Sequence, residues 1–419
     1  MSWLGTRAPR ALYARAALLA SLGLLALALP SLLDAVRAGP GDGAVDWLGA
    51  RAFLDGLDPF SPHGLQVLGL ETWGGFGHPP TTPFWFLPLA GLDVADAGVV
   101  WNCVILVVLL AHVALACVET EVPAPFATAM LLYAALLSTS WLRAHLQLDQ
   151  ISEAIAFLYV LAWVFLRRAR PIAAGVSLGL ATTFKLFPGL VVLYLLVTRR
   201  FRAVAAAVIS YLAIAVLMTT RYGWICWEEF FVEQRPIADR WASQIQNASL
   251  HGIVLRLFHP ACEAPGPTRL AATVIVALAS LVAFISTVRL CRRAPSIDLP
   301  FALVSVLSAV LNPWFWEHYN VLLVLPFLVA ATTLIRHRAG LSRARLAAGV
   351  GALAATVAML AIDHRHKFHL QAAYRTHPSL HWQIHFFEIA SWLPQVLLLG
   401  LLGCLIAWTA PPATESANP

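Results

Sequence analysis

Long apolar runs recur along the whole of this 419-residue chain, and short clusters of arginine separate several of them. Hydrophobic residues make up 59% of the chain and charged residues only 12%, compared with about 25% charged residues in a soluble domain. Runs of this length are typical of α-helices that cross a lipid bilayer, because a helix pairs its backbone polar groups internally. The sequence therefore predicts an all-α fold, a polytopic transmembrane helical bundle.

The arginine clusters predict the orientation of the bundle. Cytoplasmic loops carry an excess of Lys and Arg, so the clusters explain the formal charge of +6 without a nucleic-acid partner. With both termini in the cytoplasm, the apolar runs give about twelve crossings. The clusters lie near residues 167–170, 199–202, 289–293 and 336–345. The predicted spans are 16–33, 97–118, 124–141, 150–166, 171–184, 188–198, 203–220, 269–290, 300–313, 318–335, 345–362 and 388–408.

We predict one membrane domain over residues 1–410, followed by a disordered tail at 411–419. Its outer side collects three long loops, at 34–96, 221–268 and 363–387, and one short turn at 143–150. Residues 79–92 are apolar but short and rich in proline, and a full crossing there would place every later arginine cluster outside. We therefore interpret 79–92 as a re-entrant or interfacial helix of the first loop.

The first polar stretch after the first span contains the main acidic candidate, Asp46. It lies in a predicted short helix that Asp55-Gly56 ends, and we expect this helix to lie on the membrane surface and hold the carboxylate towards a cavity. A capping or solvated role for Asp46 is the simpler alternative. Asp42, Asp55 and Asp58 are rival acids in the same loop, although Asp55 and Asp58 are more typical of turn residues.

Lys185 lies in a turn between two apolar segments, each too short to span a bilayer comfortably. A lysine near the membrane needs a partner or must extend its ammonium group to the interface. An anion such as a phosphate suits its point charge. The sequence predicts that Lys185 holds a phosphate, with extension to the interface as the alternative.

The stretch Trp316-Glu317-His318-Tyr319-Asn320 begins another apolar segment on the outer side. Glu317 and His318 could bind a sugar hydroxyl or a phosphate, or carry a proton. The alternative is a helix start whose acidic residue favours the N-terminal dipole.

Weaker polar candidates are spread over the outer loops. His78, Gln150, Asn247 and Ser249 could each bind substrate, although loop or cap roles explain each of them as well. His381 and His385 are spaced so that one metal ion could bridge them, but a wet histidine-rich loop on lipid headgroups is the simpler interpretation. We expect no metal site and no cofactor. Cys226 and Cys262 are predicted to form a disulfide in the second long loop.

Taken together, these motifs resemble glycosyltransferase family 87, the polyprenol-phosphate-mannose-dependent mannosyltransferases of bacterial envelopes. The order and spacing fit over roughly residues 10–340, although His78 and Asp149 stand where the family more often has tyrosine and glycine. The matching motifs are 46–60, His78-Pro79-Pro80, Leu148-Asp149-Gln150-Ile151-Ser152, Arg170-Pro171 with Gly175 and Gly179, Lys185-Leu186-Phe187-Pro188, Asn247-Ala248-Ser249-Leu250 and 312–319.

The resemblance implies a GT-C fold and a polyprenyl-phosphate sugar donor used on the extracytoplasmic face of the bacterial inner membrane. It implies that Asp46 is the catalytic base, that Lys185 holds the donor phosphate, and that His318 lines the site. The expected function is hexosyl transfer, by inversion and without a metal ion, to a glycolipid or glycan acceptor. A lipid or solute transporter, or an inactive structural relative in an envelope complex, would share many of these features.

Overall fold

The structure is a computed structural model that describes residues 7–38, 41–69, 77–242, 244–245, 247–258, 266–363 and 381–410. Within these ranges the chain forms helices and loops and no strand, so the all-α prediction is confirmed. Two 3-10 helices, Thr82–Leu89 and Glu317–Leu323, accompany the α-helices. The α-helices are α1 (Arg7–Val36), α2 (Gly43–Asp55), α3 (Pro62–Val67), α4 (Val94–Glu119), α5 (Pro125–Leu137), α6 (Ser140–Gln147), α7 (Ser152–Arg167), α8 (Pro171–Phe184), α9 (Gly189–Val197), α10 (Phe201–Tyr222), α11 (Cys226–Trp241), α12 (Leu250–Phe258), α13 (Gly266–Cys291), α14 (Asp298–Val310), α15 (Val324–His337), α16 (Arg343–Leu360) and α17 (His381–Thr409).

Seven helical segments of the described chain are long and apolar enough to cross a membrane. The count rises to eight if α5 and α6, which meet at a bend of 72°, form one broken span. Helices also cover the remaining predicted spans, including α8 and α9, but these helices are shorter. The structure thus supports a membrane bundle, while the count of about twelve crossings stays a prediction.

Residues 79–92 contain only the eight-residue 3-10 helix Thr82–Leu89. At about 2 Å per residue it is about 16 Å long, roughly half the hydrocarbon thickness of a bilayer. This segment is therefore too short to cross. It packs against α2, as the Trp47 indole nitrogen donates to the Leu89 carbonyl at 3.1 Å and Arg51 donates to the Ala90 carbonyl at 2.8 Å.

Helix α4 defines two ends of the bundle. With 26 residues it is about 39 Å long. Near its start, Asn102 donates to the Asp149 carboxylate at 2.8 Å. Near its end, Glu119 pairs with Arg167 and Arg168 at the end of α7. The predicted outer turn and one predicted cytoplasmic arginine cluster thus lie at opposite ends of α4. We call these the site end and the basic end.

A second arginine cluster joins the basic end. Arg336, in the last turn of α15, donates to the Thr120 carbonyl at 2.9 Å and to the Glu121 carboxylate at 3.2 Å. The 167–170 and 336–345 clusters therefore meet at one end of the bundle. This grouping agrees with the positive-inside interpretation of both clusters.

Helices α8 and α10 pack closely because glycines face the neighbouring backbone. A Cβ atom added at Gly175 would lie 2.1 Å from the Ala203 carbonyl oxygen, whereas one added at Gly400 would meet nothing within 4 Å. We expect Gly175→Ala to lower the free energy of unfolding by about 1–3 kcal/mol through overpacking. Thermal unfolding in detergent, with Gly400→Ala as the control, measures the effect. Equal midpoints for the two variants would contradict this close contact.

Candidate active site

Helix α2 presents two acids on one face at the site end. Asp42 immediately precedes the helix and Asp46 lies in its first turn, four residues later. Gly56 ends the helix in the left-handed conformation with φ of 70°, so the predicted stop at Asp55-Gly56 is confirmed. The last carbonyls of α2 accept hydrogen bonds from Arg221, which follows α2 by more than 160 residues.

The turn between α6 and α7 holds the start of α2. The Gly43 amide donates to the Leu148 carbonyl at 3.2 Å, and the Gly41 amide donates to the Asp149 carboxylate at 2.9 Å. Asp149 has φ of 50°, a left-handed conformation that aspartate tolerates better than most residues.

Gln150 links the same turn to the first acid of α2. Its side-chain amide donates to the Asp42 carboxylate at 2.7 Å. Burial raises the pKa of the Asp42 carboxyl group, while the positive charges of His78 and Lys185 act in the opposite direction. Asp42 therefore faces a mixed environment, with cations close enough to stabilise its charged form.

Asp46 is fully buried and pairs with a residue of the following loop. His78 Nδ1 lies 2.8 Å from Asp46 Oδ2, and the His78 side chain keeps 17% of its surface exposed. Asp46 Oδ1 has no hydrogen-bond partner within the described residues. The predicted short helix is present, but its carboxylate lies behind His78.

The segment after His78 is attached to the Lys185 turn. Thr81 donates to the Thr183 carbonyl at 2.8 Å, and Thr82 donates to the Phe184 carbonyl at 2.9 Å. Both threonines are buried. These bonds satisfy carbonyls at the end of α8 that no helical partner can reach. They also hold His78 and Lys185 in one neighbourhood although the sequence separates them by more than 100 residues.

Lys185 is 9% exposed and has an aromatic partner. Its Nζ lies 2.5 Å from the Tyr319 hydroxyl and 4.4 Å from the centre of the Tyr319 ring. Burial lowers the pKa of the Lys185 ammonium group to about 8, while the Asp46 and Asp42 carboxylates act in the opposite direction. Lys185 is thus a partnered lysine, because a hydroxyl group and an aromatic face contact its ammonium group.

A cavity of about 890 Å³ lies between these elements. Asp42, His78, Gln150 and Lys185 line it, but Asp46 does not. The volume falls within the about 300–1,000 Å³ of typical small-molecule sites. Its apolar wall consists of Leu186, Phe187, Leu190, Phe230, Trp241, Leu311, Trp314 and Trp316.

The cavity also reaches the predicted Trp-Glu-His motif. Glu317 and His318 both line it, at the start of the 3-10 helix Glu317–Leu323. His318 Nε2 is buried and has no hydrogen-bond partner in the described part of the chain. The His318 ring contacts the Tyr319 ring edge-on, with centroids 4.8 Å apart. His318 and Lys185 thus line one cavity, and Tyr319, which the sequence did not single out, lines it with them.

Asn247 and Ser249 do not line this cavity. The Asn247 side chain donates to the Pro313 carbonyl at 3.0 Å and accepts from the Phe315 amide at 3.1 Å, and the Ser249 hydroxyl donates to the Pro313 carbonyl at 2.7 Å. These bonds attach the start of α12 to the loop before His318. Asn247 and Ser249, which were predicted to bind substrate, therefore hold backbone groups beside the site in this conformation.

Two other predictions concern residues that are not fully described. Cys226 is buried, and its predicted disulfide partner Cys262 lies outside the described residues, so the disulfide stays a prediction. Residues 364–380 of the predicted histidine-rich loop 363–387 also lie outside them, whereas residues 381–387 already belong to α17. The side chains of His381 and His385 are likewise not described, so the structure does not test the metal-bridging alternative.

The sequence did not single out Tyr319 as a site residue, and it indicated Asp42 only as a rival of Asp46. Tyr319 and Asp42 show signals that could have identified them: Tyr319 follows a nominated histidine, and Asp42 lies one helical turn before Asp46. Composition offered a further signal for Lys185. It is one of only two lysines in the chain, with Lys367, whereas the other cations are arginines. No local sequence pattern indicated which side chain would pair with Asp46.

Two curated proteins are similar to this chain over most of its length. Both are named polyprenol-phosphate-mannose-dependent alpha-(1-2)-phosphatidylinositol mannoside mannosyltransferase. The one from Mycobacterium tuberculosis is 29% identical over 289 residues, and the match covers 65% of each chain. The one from Mycolicibacterium smegmatis is 26% identical over 348 residues, or 76% of each chain. The chain thus spans just under two thirds of the first relative. No solved structure matches it.

The comparison with protein families gives one match. The model of glycosyltransferase family 87 fits residues 76–295, more than half of the chain. That range contains His78, Gln150 and Lys185, whereas Asp46 lies before it and His318 after it. The resemblance inferred from the motifs is therefore confirmed, and the chain belongs to glycosyltransferase family 87.

Proposed function

We propose that this protein is a membrane glycosyltransferase. It moves a hexosyl group, mannosyl by analogy with its relatives, from a polyprenyl-phosphate donor to a hydroxyl group of an envelope glycolipid or glycan. The single observation that carries the proposal is the cavity at the site end. It brings Lys185 together with His78, behind which Asp46 is buried. Family membership and the names of the two relatives supply the donor class and a candidate acceptor class, phosphatidylinositol mannosides.

The donor phosphate binds at Lys185. Negative charge grows on this phosphate as its bond to the sugar breaks, and a fixed cation in a partly buried site stabilises that charge. Leu186, Phe187 and Leu190 follow Lys185 along the same wall of the cavity. An apolar wall beside a cation suits a lipid that carries one phosphate, because the isoprenoid units contact the wall while the phosphate contacts the ammonium group.

The acceptor hydroxyl group is activated by the acid of α2. Its oxygen forms a bond to the anomeric carbon, the carbon–oxygen bond to the donor phosphate breaks, and the electron pair remains on the phosphate. The proton of the hydroxyl passes to the base that includes Asp46. A single direct displacement inverts the anomeric centre. Because the donor carries one phosphate and Lys185 supplies a charge for it, the proposed reaction requires no metal ion.

The protein acts on the outer face of the bacterial inner membrane. We propose a GT-C-type bundle of about twelve crossings with cytoplasmic termini. The separation of the site end from the basic end supports this orientation, because arginine-rich loops favour the cytoplasm.

Cysteine labelling tests the orientation. In a chain whose six cysteines are replaced by serine, Asp55→Cys and Trp224→Cys should react with a membrane-impermeant maleimide in intact cells. Arg168→Cys and Arg338→Cys should react only after the membrane is broken. All four positions are exposed, whereas Asp46 has no exposed surface. Labelling of Asp55→Cys and Arg168→Cys from the same side would exclude the proposed orientation.

Direct assay of the purified protein tests the activity. With polyprenyl-phosphate mannose and phosphatidylinositol mannosides, mass spectrometry should detect an acceptor that is one hexose heavier and free polyprenyl phosphate. Chelation of divalent cations should leave the rate unchanged. A transporter would give no covalent product, so the absence of transfer to a panel of envelope glycolipids would contradict the proposed function.

A further inference from the structure

The buried acid of α2 is separated from the cavity by a histidine. Asp46 has no exposed surface and does not line the cavity, whereas His78 is 17% exposed and does line it. The two side chains are joined by the 2.8 Å contact between Nδ1 and Oδ2. An acceptor hydroxyl in the cavity can therefore reach the imidazole ring, but it cannot reach the Asp46 carboxylate without a rearrangement of the loop that carries His78.

We infer that His78 is the group that takes the proton of the acceptor hydroxyl and that Asp46 acts through it. This proposal rests on the proposed function and assigns His78 a catalytic role and Asp46 a positioning role. The acceptor oxygen bonds to the anomeric carbon, its proton moves to His78 Nε2, and the electron pair of the broken bond stays on the donor phosphate. The imidazolium ion then returns its proton to water after the products leave.

The hydrogen bond to Asp46 determines which ring nitrogen can act as the base. A carboxylate only accepts hydrogen bonds, so Nδ1 carries the proton in the pair and Nε2 keeps its lone pair. Asp46 also stabilises the imidazolium ion that forms when Nε2 is protonated. This is the division of roles that a histidine and an aspartate have in Ser-His-Asp enzymes.

Other charged groups around His78 influence this pair. Asp42 on α2 interacts with the His78 charge, and so does His318 on the 3-10 helix Glu317–Leu323. Lys185, at the end of α8, lines the same cavity. Asp42 and Asp46 place negative charge beside the His78 ring, and Lys185 places positive charge in the same cavity.

A pH profile of the wild type and two variants tests the proposal. His78→Asn keeps an N–H donor close to the position of Nδ1 but has no basic nitrogen. We expect it to lower kcat/KM by about 10²–10⁴-fold, the usual contribution of a general base. The wild-type profile should show an acid limb between pH 5 and 8, the range in which histidine is the usual titrating side chain. His78→Asn should lose this dependence. His63→Asn, an exposed histidine of the same loop, should match the wild type.

The double variant distinguishes a His78–Asp46 pair that acts as a unit from two groups that act independently. The rate of the double variant Asp46→Asn with His78→Asn should lie within about threefold of the rate of the slower single variant. The reason is that the effects of residues that act as a unit are not additive. A His78→Asn enzyme within about threefold of the wild type, or a wild-type profile without an acid limb between pH 5 and 8, would overturn the proposal while leaving the proposed function intact. A wild-type protein that transfers no sugar would reject both, so the two failures are distinguishable.

Discussion

Asp46→Asn should lower the rate of sugar transfer by about 10²–10⁴-fold, whether the acid acts directly or through His78. An amide group cannot hold the negative charge that stabilises the protonated base. Its oxygen can still accept the hydrogen bond from His78 Nδ1, so the loop should keep its place. Binding of the lipid donor should change little, because Asp46 does not line the cavity.

The measurement is single-turnover transfer together with donor binding, both in the same detergent. Asp55→Asn is the matched control, since Asp55 ends the same helix and is exposed. A variant that transfers sugar within about tenfold of the wild type would show that Asp46 has no part in the proton transfer. A variant that loses donor binding as well would indicate that Asp46 is needed to hold the site together.

Lys185→Met should weaken both donor binding and the rate. The substitution keeps most of the side-chain volume and removes the charge. A hydrogen bond to a charged group contributes about 1.5–3 kcal/mol, which corresponds to a roughly 10–150-fold weaker binding of the donor. The decrease in kcat/KM should be larger than the decrease in affinity, because negative charge on the phosphate increases in the transition state.

Because Lys185 is one of only two lysines in the chain, chemical modification of lysine gives an independent measurement of donor binding. An amine-selective reagent should modify Lys185 in the free protein, and polyprenyl phosphate should protect it, as followed by peptide mass spectrometry. Arg200→Gln, which removes an exposed cation from a predicted cytoplasmic loop, is the control for net charge. If donor affinity is the same for Lys185→Met and Arg200→Gln, Lys185 does not bind the phosphate.

The elements of the fold could be predicted largely because the signals that define them are local. Apolar runs, arginine clusters and prolines such as Pro171, at the start of α8, mark where helices begin and end. The Lys185 turn was predictable for the same reason. It is a charged residue between two short apolar helices, and few structures can accommodate that pattern.

The pairings within the site could not be predicted, because each joins distant parts of the chain. His78 was nominated only as a weak binding residue, and its pairing with Asp46 depends on how the first loop folds back. Asn247 illustrates the opposite error. Its polar side chain suggested a ligand contact, but the structure uses it to hold backbone groups near Pro313. A single sequence does not distinguish an amide that binds substrate from one that binds the chain itself.

The Lys185–Tyr319 contact has a consequence for how the protein is made. The two residues are 134 positions apart, and at about 5–20 residues per second the ribosome needs roughly 7–27 s to travel from one to the other. During that interval α8 and α9 have been synthesised, whereas Tyr319, whose hydroxyl group contacts the ammonium group of Lys185, has not. The brevity of both helices keeps the new lysine near the membrane surface, where water can solvate it until the later segment arrives.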